Sequence, residues 1–167
     1  MLLKENTNNG HVLHPTELSV RRENDYVVFT FVAKRSSFYS AGNKYNDPLY
    51  DGSVVEVFID YGKANHYYEV EVAPNGAVFL ADIENINGKT LINCLDNCFV
   101  KTDVKIDGDA YTATIKIPLE KIKTERPKVN AFRIEFVDNK QYLYALNPTL
   151  CDKFHRMEYF IDLLPLL

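Results

Sequence analysis

Apolar and polar residues alternate through several short runs of this chain, and turn-forming residues separate the runs. The densest example is residues 47–81, DPLYDGSVVEVFIDYGKANHYYEVEVAPNGAVFLA. Residues 53–60 alternate after an Asp51-Gly52 corner, residues 66–72 alternate again, and Pro74-Asn75-Gly76 leads into residues 77–81. Asn-Gly between alternating runs signals a hairpin, because both residues tolerate positive φ. Gly62-Lys63-Ala64-Asn65 supplies the connection before it. This pattern predicts a three-stranded antiparallel meander.

Period-two alternation also assigns faces. Val55, Val57 and Ile59 share one face, with Tyr68, Val70 and Val72, and these apolar sets belong in a core. The opposite face collects Glu56, Glu69 and Glu71 beside Phe58 and Tyr67, and is expected to be solvated.

Elsewhere, residues 18–20 predict a short strand and residues 26–33 (YVVFTFVA) a central strand covered on both faces. Residues 34–46 form a polar loop in which Phe38, Tyr39 and Tyr45 serve as packing anchors. Residues 82–97 read as irregular, with a turn at Asn87-Gly88. Residues 99–106 and 109–117 flank the hairpin signal Asp107-Gly108, and Pro118 ends the second run. Residues 119–123 predict one helical turn. Residues 130–137 (NAFRIEFV) alternate, with Phe132, Ile134 and Phe136 expected inward and Arg133 and Glu135 outward. Residues 142–146 and 159–163 are the last strands expected.

About nine to eleven short strands with one or two helical turns predict an all-β fold, an antiparallel β-sandwich of immunoglobulin or jelly-roll type. Residues 1–14 read as an N-terminal arm and residues 15–167 as a single domain, long enough for a substantial core.

Composition narrows the function. The chain holds 11 Tyr and 10 Phe but no Trp, and its net charge is −4. That balance argues against a nucleic-acid phosphate track or an anionic membrane surface. No apolar run approaches the roughly 18 residues of a membrane span. The N-terminus, MLLKENTNNGHVLHP, lacks a signal peptide's apolar segment, so a cytoplasmic location is expected as written, and an extracellular one if the chain is excised from a longer secreted protein. Cys94, Cys98 and Cys151 are too few for a disulfide framework and are expected as free thiols.

No P-loop, dinucleotide-binding glycine fingerprint, G-x-S-x-G elbow or H-E-x-x-H helix is present. Carboxylates interleaved with rings on one sheet face suit a polyhydroxylated ligand: carboxylates accept from hydroxyls, and rings cover the C–H face of a sugar. Hydrolysis of a glycoside is not expected. It needs one carboxyl with a raised pKa, whereas carboxylates on an open face stay ionised. His66 is expected to shape a turn, and His155 either binds a ligand or caps the last strand.

Several stretches together resemble the family 9 carbohydrate-binding modules. Residues 48–60 (PLYDGSVVEVFID) look like that family's signature block. His66-Tyr67-Tyr68-Glu69-Val70 with Pro74-Asn75-Gly76 is similar to its next hairpin. Residues 111–118 resemble its strand ending in an Ile-Pro step, and NAFRIE, Ala145-Leu146-Asn147-Pro148 and Phe154-His155 resemble its C-terminal third. The likeness covers residues 15–163.

The resemblance implies a sugar-binding β-sandwich that is not an enzyme, accessory to a partner enzyme that breaks down xylan- or cellulose-type glycosides. It also implies that structural calcium can be held. Asp47, Asp51, Asp60 and Asp82 offer oxygens for this, although their spacing matches no EF-hand loop. Carried over by position, Tyr50 takes the place of a stacking aromatic, Glu56 of a hydroxyl-binding carboxylate, Arg133 of a strand arginine and Asn147 of a polar residue near the second platform. Tyr67, Glu69, Glu71 and His155 complete the candidate ligand-binding set. The family clamps its sugar between two tryptophans. Here Tyr50 replaces one, and the second platform falls near Leu146 or Leu150. The alternative function is a structural or protein-interaction sandwich that has lost the sugar clamp.

Overall fold

Alternation of β-branched and aromatic residues with polar ones, broken by tight turns, produces strands and almost nothing else. The computed structural model describes residues 1–7, 12–34, 38–86 and 89–167. The strands are β1 (Lys4–Glu5), β2 (Thr16–Glu23), β3 (Tyr26–Lys34), β4 (Val54–Ile59), β5 (His66–Val72), β6 (Val78–Ile86), β7 (Lys89–Cys94), β8 (Lys101–Asp107), β9 (Ala110–Pro118), β10 (Lys128–Val137), β11 (Lys140–Ala145) and β12 (Ile161–Asp162). Among the described residues the only helical elements are three-residue 3₁₀ turns, including Leu49–Asp51 and the expected turn at Leu119–Lys121. Among the described residues no helix is long and apolar enough to cross a membrane.

Two antiparallel sheets pack face to face. The larger runs β1-β11-β10-β4-β5-β6-β7, with β12 also on β10; the smaller runs β2-β3-β9-β8. Leu18, Phe29, Phe31 and Ile115 from the smaller sheet meet Val55, Val57, Val70 and Val72 from the larger in the sandwich core. The N-terminal residues join this structure, with Leu3 buried in the core and β1 paired to β11. Tight turns set the registers: Asn65 and Gly76 adopt positive φ between β4, β5 and β6, as does Gly108 between β8 and β9.

Three expectations need correction. Residues 82–97 are not irregular; β6 continues to Ile86 and pairs with β7. The Asn87-Gly88 turn lies outside the described residues. β3 is central in its sheet, but its outer face is open at Val32, which is 38% exposed. The faces of β10 are reversed. Phe132 lies opposite Glu56 and Arg133 opposite Val55, and directly opposed residues share a face. Arg133 and Glu135 therefore point into the sandwich, while Phe132, Ile134 and Phe136 point out. Hydrophobicity alone misleads here because the outer face carries its own apolar cluster, including Phe58, Tyr67, Phe79, Phe132, Phe154 and Phe160.

Candidate functional site

The registers of β10, β4, β5 and β6 build two rows across the outer face of the larger sheet. One reads Phe132, Glu56, Glu71, Phe79; the next reads Asn130, Phe58, Glu69, Ala81. Glu56 therefore lies directly opposite Glu71, with Glu69 diagonal to Glu56 and two residues from Glu71. Like charges in directly opposed positions are unfavourable in a sheet. The sequence assigned these side chains to the right face, but that face is not solvated. Glu56, Glu69 and Glu71 are only 2%, 4% and 1% exposed, and Phe58 and Tyr67 are fully buried.

Burial comes from the segment after β11, which folds over this face. Phe154 stacks on Phe132 at 4.2 Å between centroids, His155 stacks on Phe58 at 5.2 Å, and Phe160 meets Tyr67 edge-on at 5.1 Å. Between this segment and the 3₁₀ turn Leu49–Asp51 the surface opens into a cleft of about 600 Å³. The three glutamates, Phe58, Phe79 and Ile134 line it from the sheet. Tyr50, Asp51, Gln141, Lys153, Phe154 and His155 also line it. Tyr50 remains 45% exposed, and Gln141 Nε2 donates to its backbone carbonyl at 2.7 Å.

Burial dominates the electrostatics. Desolvation, helped by the Glu69 charge, holds Glu56 well above the usual carboxylate range. Desolvation and the charges of Glu56 and Glu69 do the same to Glu71. Glu69 is pushed up by burial to about 7, an effect that the neighbouring Glu71 partly offsets. The expectation that these groups stay ionised is thus corrected: away from water, the neutral form is favoured. His155 is held neutral by burial, with its pKa lowered to about 4. Its Nδ1 then accepts from the Tyr67 hydroxyl at 2.6 Å. Burial first, and then the Glu69 charge, keeps that phenol protonated.

Of the residues singled out in the sequence, Tyr50, Glu56, Glu69, Glu71 and His155 come together around the cleft. Tyr67 lies beneath it as the support of His155. Arg133 does not reach it. It is fully buried on the inner face, donating from Nη1 to Thr16 Oγ1 at 2.7 Å and to the His14 carbonyl at 3.2 Å, with Nη2 3.2 Å from Glu135 Oε1. Asn147 is also committed elsewhere: its Nδ2 donates to the Tyr159 carbonyl, and its backbone exchanges hydrogen bonds with the Asn130 side chain. Neither Leu146 nor Leu150 lines the cleft; Leu146 packs on the sandwich core and Leu150 is exposed.

Sequence reasoning missed Phe79, Gln141, Lys153 and Phe154 at the cleft. Phe79 was recoverable, because a tight turn at Asn75-Gly76 places it opposite Glu71. Phe154 had no local signal; it reaches the face only through the fold of the last segment. The aspartates considered for calcium do not converge. Asp47 accepts from the Asn43 and Lys44 amides, Asp60 from the Gly62 amide, and Asp82 from the Tyr61 hydroxyl, with His66 Nδ1 3.0 Å away.

No family model matches the chain, and no curated protein matches it. Solved structures do. A presumed carbohydrate-binding protein of Bacteroides uniformis ATCC 8492 superposes with a TM-score of 0.75 at 12% identity, covering 97% of this chain and 84% of that one. A family 9 carbohydrate-binding module of Caldicellulosiruptor kristjanssonii, solved with glucose, gives 0.63 at 11% identity over 96% of this chain and 81% of that one. The cellotriose complex of a family 9 module from the same organism gives 0.61 at 12% identity over 87% and 72%. The resemblance carried by the sequence thus has its counterpart in three dimensions: the chain has the β-sandwich fold of these modules.

Proposed function

We propose that this domain is a non-catalytic carbohydrate-binding module that takes a mono- or oligosaccharide in the cleft beside Tyr50. The observation that carries this reading is an open cleft in which a half-exposed ring stands beside buried carboxyl groups, where a loop covering Tyr50 would have favoured an interaction domain instead. The ring offers an apolar platform for the C–H face of a sugar. Asp51, Gln141 and Lys153 supply further polar groups for its hydroxyls. The solved modules with glucose and cellotriose support the same ligand class, and the accessory role beside a glycoside-degrading enzyme belongs to this proposal.

The non-catalytic part no longer rests on exposure, since the carboxyls are buried. It rests on access. Both oxygens of Glu71, and one each of Glu56 and Glu69, are shielded from solvent, which leaves a ligand at most one oxygen of Glu56 and one of Glu69 on the same sheet face, rather than carboxyls on opposite sides of a scissile bond. A thermal-shift and calorimetric screen against mono- and disaccharides tests the assignment. Binding of one sugar class, weakened at least tenfold by Tyr50→Ala with unchanged folding, is the expected result. No binding to any sugar, including soluble oligosaccharides, would move the assignment to an interaction domain.

A further inference from the structure

Three carboxyl groups meet at the floor of the cleft, and nothing in the described structure balances them. One oxygen from each of Glu56, Glu69 and Glu71 lies within 4.8 Å of the other two. Among the described residues, no Lys, Arg or His forms an ion pair with any of the three; the one fully buried arginine, Arg133, is on the opposite face with Glu135. With all three ionised, four of their six oxygens are out of reach of solvent and accept no hydrogen bond. Unpartnered buried polar atoms are rare in folded proteins, and each such group calls for a partner.

We infer that Glu56, Glu69 and Glu71 form a binding site for a hard divalent cation, calcium in the first instance. Oxygen ligands lie about 2.3–2.6 Å from Ca²⁺, so two of them can be up to about 5 Å apart across one ion. The observed convergence fits within that limit. An oxygen-only, carboxylate-only set selects hard cations over zinc or copper. Calcium is favoured over magnesium because it accepts six to eight oxygens in flexible geometry, including both oxygens of one carboxylate. An ammonium group is the other cation with suitable charge, but it needs its donors to reach the acceptors from the cleft, and four of the six oxygens are closed to that approach. A bare ion sits between them. These residues are distinct from the four aspartates that the sequence offered for calcium, whose oxygens are already occupied or dispersed. Coordination positions left over face the cleft and are open to water or to a ligand hydroxyl. That last step rests on the sugar-binding reading; the ion itself does not.

The test uses no sugar. The full chain is stripped with EDTA, desalted, and titrated with CaCl₂, MnCl₂ or MgCl₂ by calorimetry and by thermal unfolding. One calcium per chain is expected, with a rise in Tm of roughly 5–10 °C at about 100 times Kd. Glu71→Gln and, separately, Glu69→Gln should each weaken calcium at least tenfold while Asp47→Asn leaves it unchanged; two isosteric variants keep the test decisive if one fails to fold. Absence of heat and of a Tm shift with all three cations up to 10-fold above about 1 mM would overturn the site, 1 mM being the weak end of protein calcium sites. So would calcium binding that both Gln variants retain. A shift with methylammonium chloride in EDTA, and none with metal ions, would overturn it in favour of an ammonium ligand.

Discussion

A buried carboxyl that keeps its proton makes folding weaken as pH rises, and this cleft holds three of them. In the unfolded chain Glu69 titrates near 4.5, and in the folded protein near 7. Below about pH 4.5 both states are protonated and the group contributes nothing to the pH dependence. Above that the unfolded chain releases its proton first, so stability falls with rising pH until the folded group has titrated. Glu56 and Glu71, also raised by burial, add to the same fall. His155 acts with the opposite sign in a lower window. Its folded pKa is about 4 against 6.5 unfolded, so its contribution is full above pH 6.5 and is lost as pH falls towards 4. Above pH 6.5 His155 no longer contributes a slope, whereas the glutamates do. In EDTA, Tm should therefore decline between pH 6.5 and 8, and Glu71→Gln should flatten that decline. The same variant should raise Tm at pH 7.5 by roughly 2–8 °C, equivalent to about 1–2 kcal/mol. Unchanged Tm and slope by differential scanning calorimetry would show that the cluster is not electrostatically strained.

At the level of elements, the cleft depends on where the Leu49–Asp51 turn is held. Gly52 ends that turn in extended conformation, and its amide donates to the Leu49 carbonyl at 2.9 Å. A Cβ on Gly52 would lie 2.6 Å from the Ala41 amide nitrogen, a backbone atom with little room to move. Gly52→Ala should therefore cost about 1–3 kcal/mol through overpacking. It should also weaken the cleft ligand by moving Tyr50, although neither residue 52 nor Ala41 lines the cleft; wild-type affinity together with wild-type Tm would refute the argument. Elements of this kind were legible to different degrees. The β4-β5-β6 meander was readable because one face is apolar and the turns are of Asn and Gly. β7 was not: Leu91 and Ile92 are adjacent and both exposed, so the strand sits at an edge and has no buried face to impose alternation. β10 misled because it is buried on both sides, with an ion-paired Arg133 where the pattern called for solvent.

Across the whole molecule, the larger sheet serves two purposes with its two faces, and the sequence showed the first better than the second. The sandwich, its antiparallel order and the position of the carboxylates on the outer face were legible in local alternation. The burial of that face was not, because it comes from the segment after β11 folding back over strands far from it in sequence. The same division gives a test of the fold's logic. On the inner face, Arg133, Glu135, Thr16 and Tyr144 form a buried network, with the Tyr144 hydroxyl 3.1 Å from Glu135 Oε2 and His14 Nδ1 2.7 Å from its Oε1. Removing Arg133 takes the guanidinium away from the buried Glu135 and leaves that carboxylate with only Tyr144 and His14, at a cost of up to about 3–5 kcal/mol. Arg133→Ala should thus lower Tm by roughly 6–20 °C while leaving the affinity for the cleft ligand within twofold, measured at a temperature where the variant is folded. Tyr50→Ala should do the reverse, because a half-exposed ring contributes little to the core. Outer-face glutamates make a third class: replacing them raises stability and lowers cation affinity, the trade expected where a strained group is kept for binding. If Arg133→Ala weakened the ligand as much as Tyr50→Ala, the two faces would be coupled through β10, and the assignment of Arg133 to the interior framework would fail.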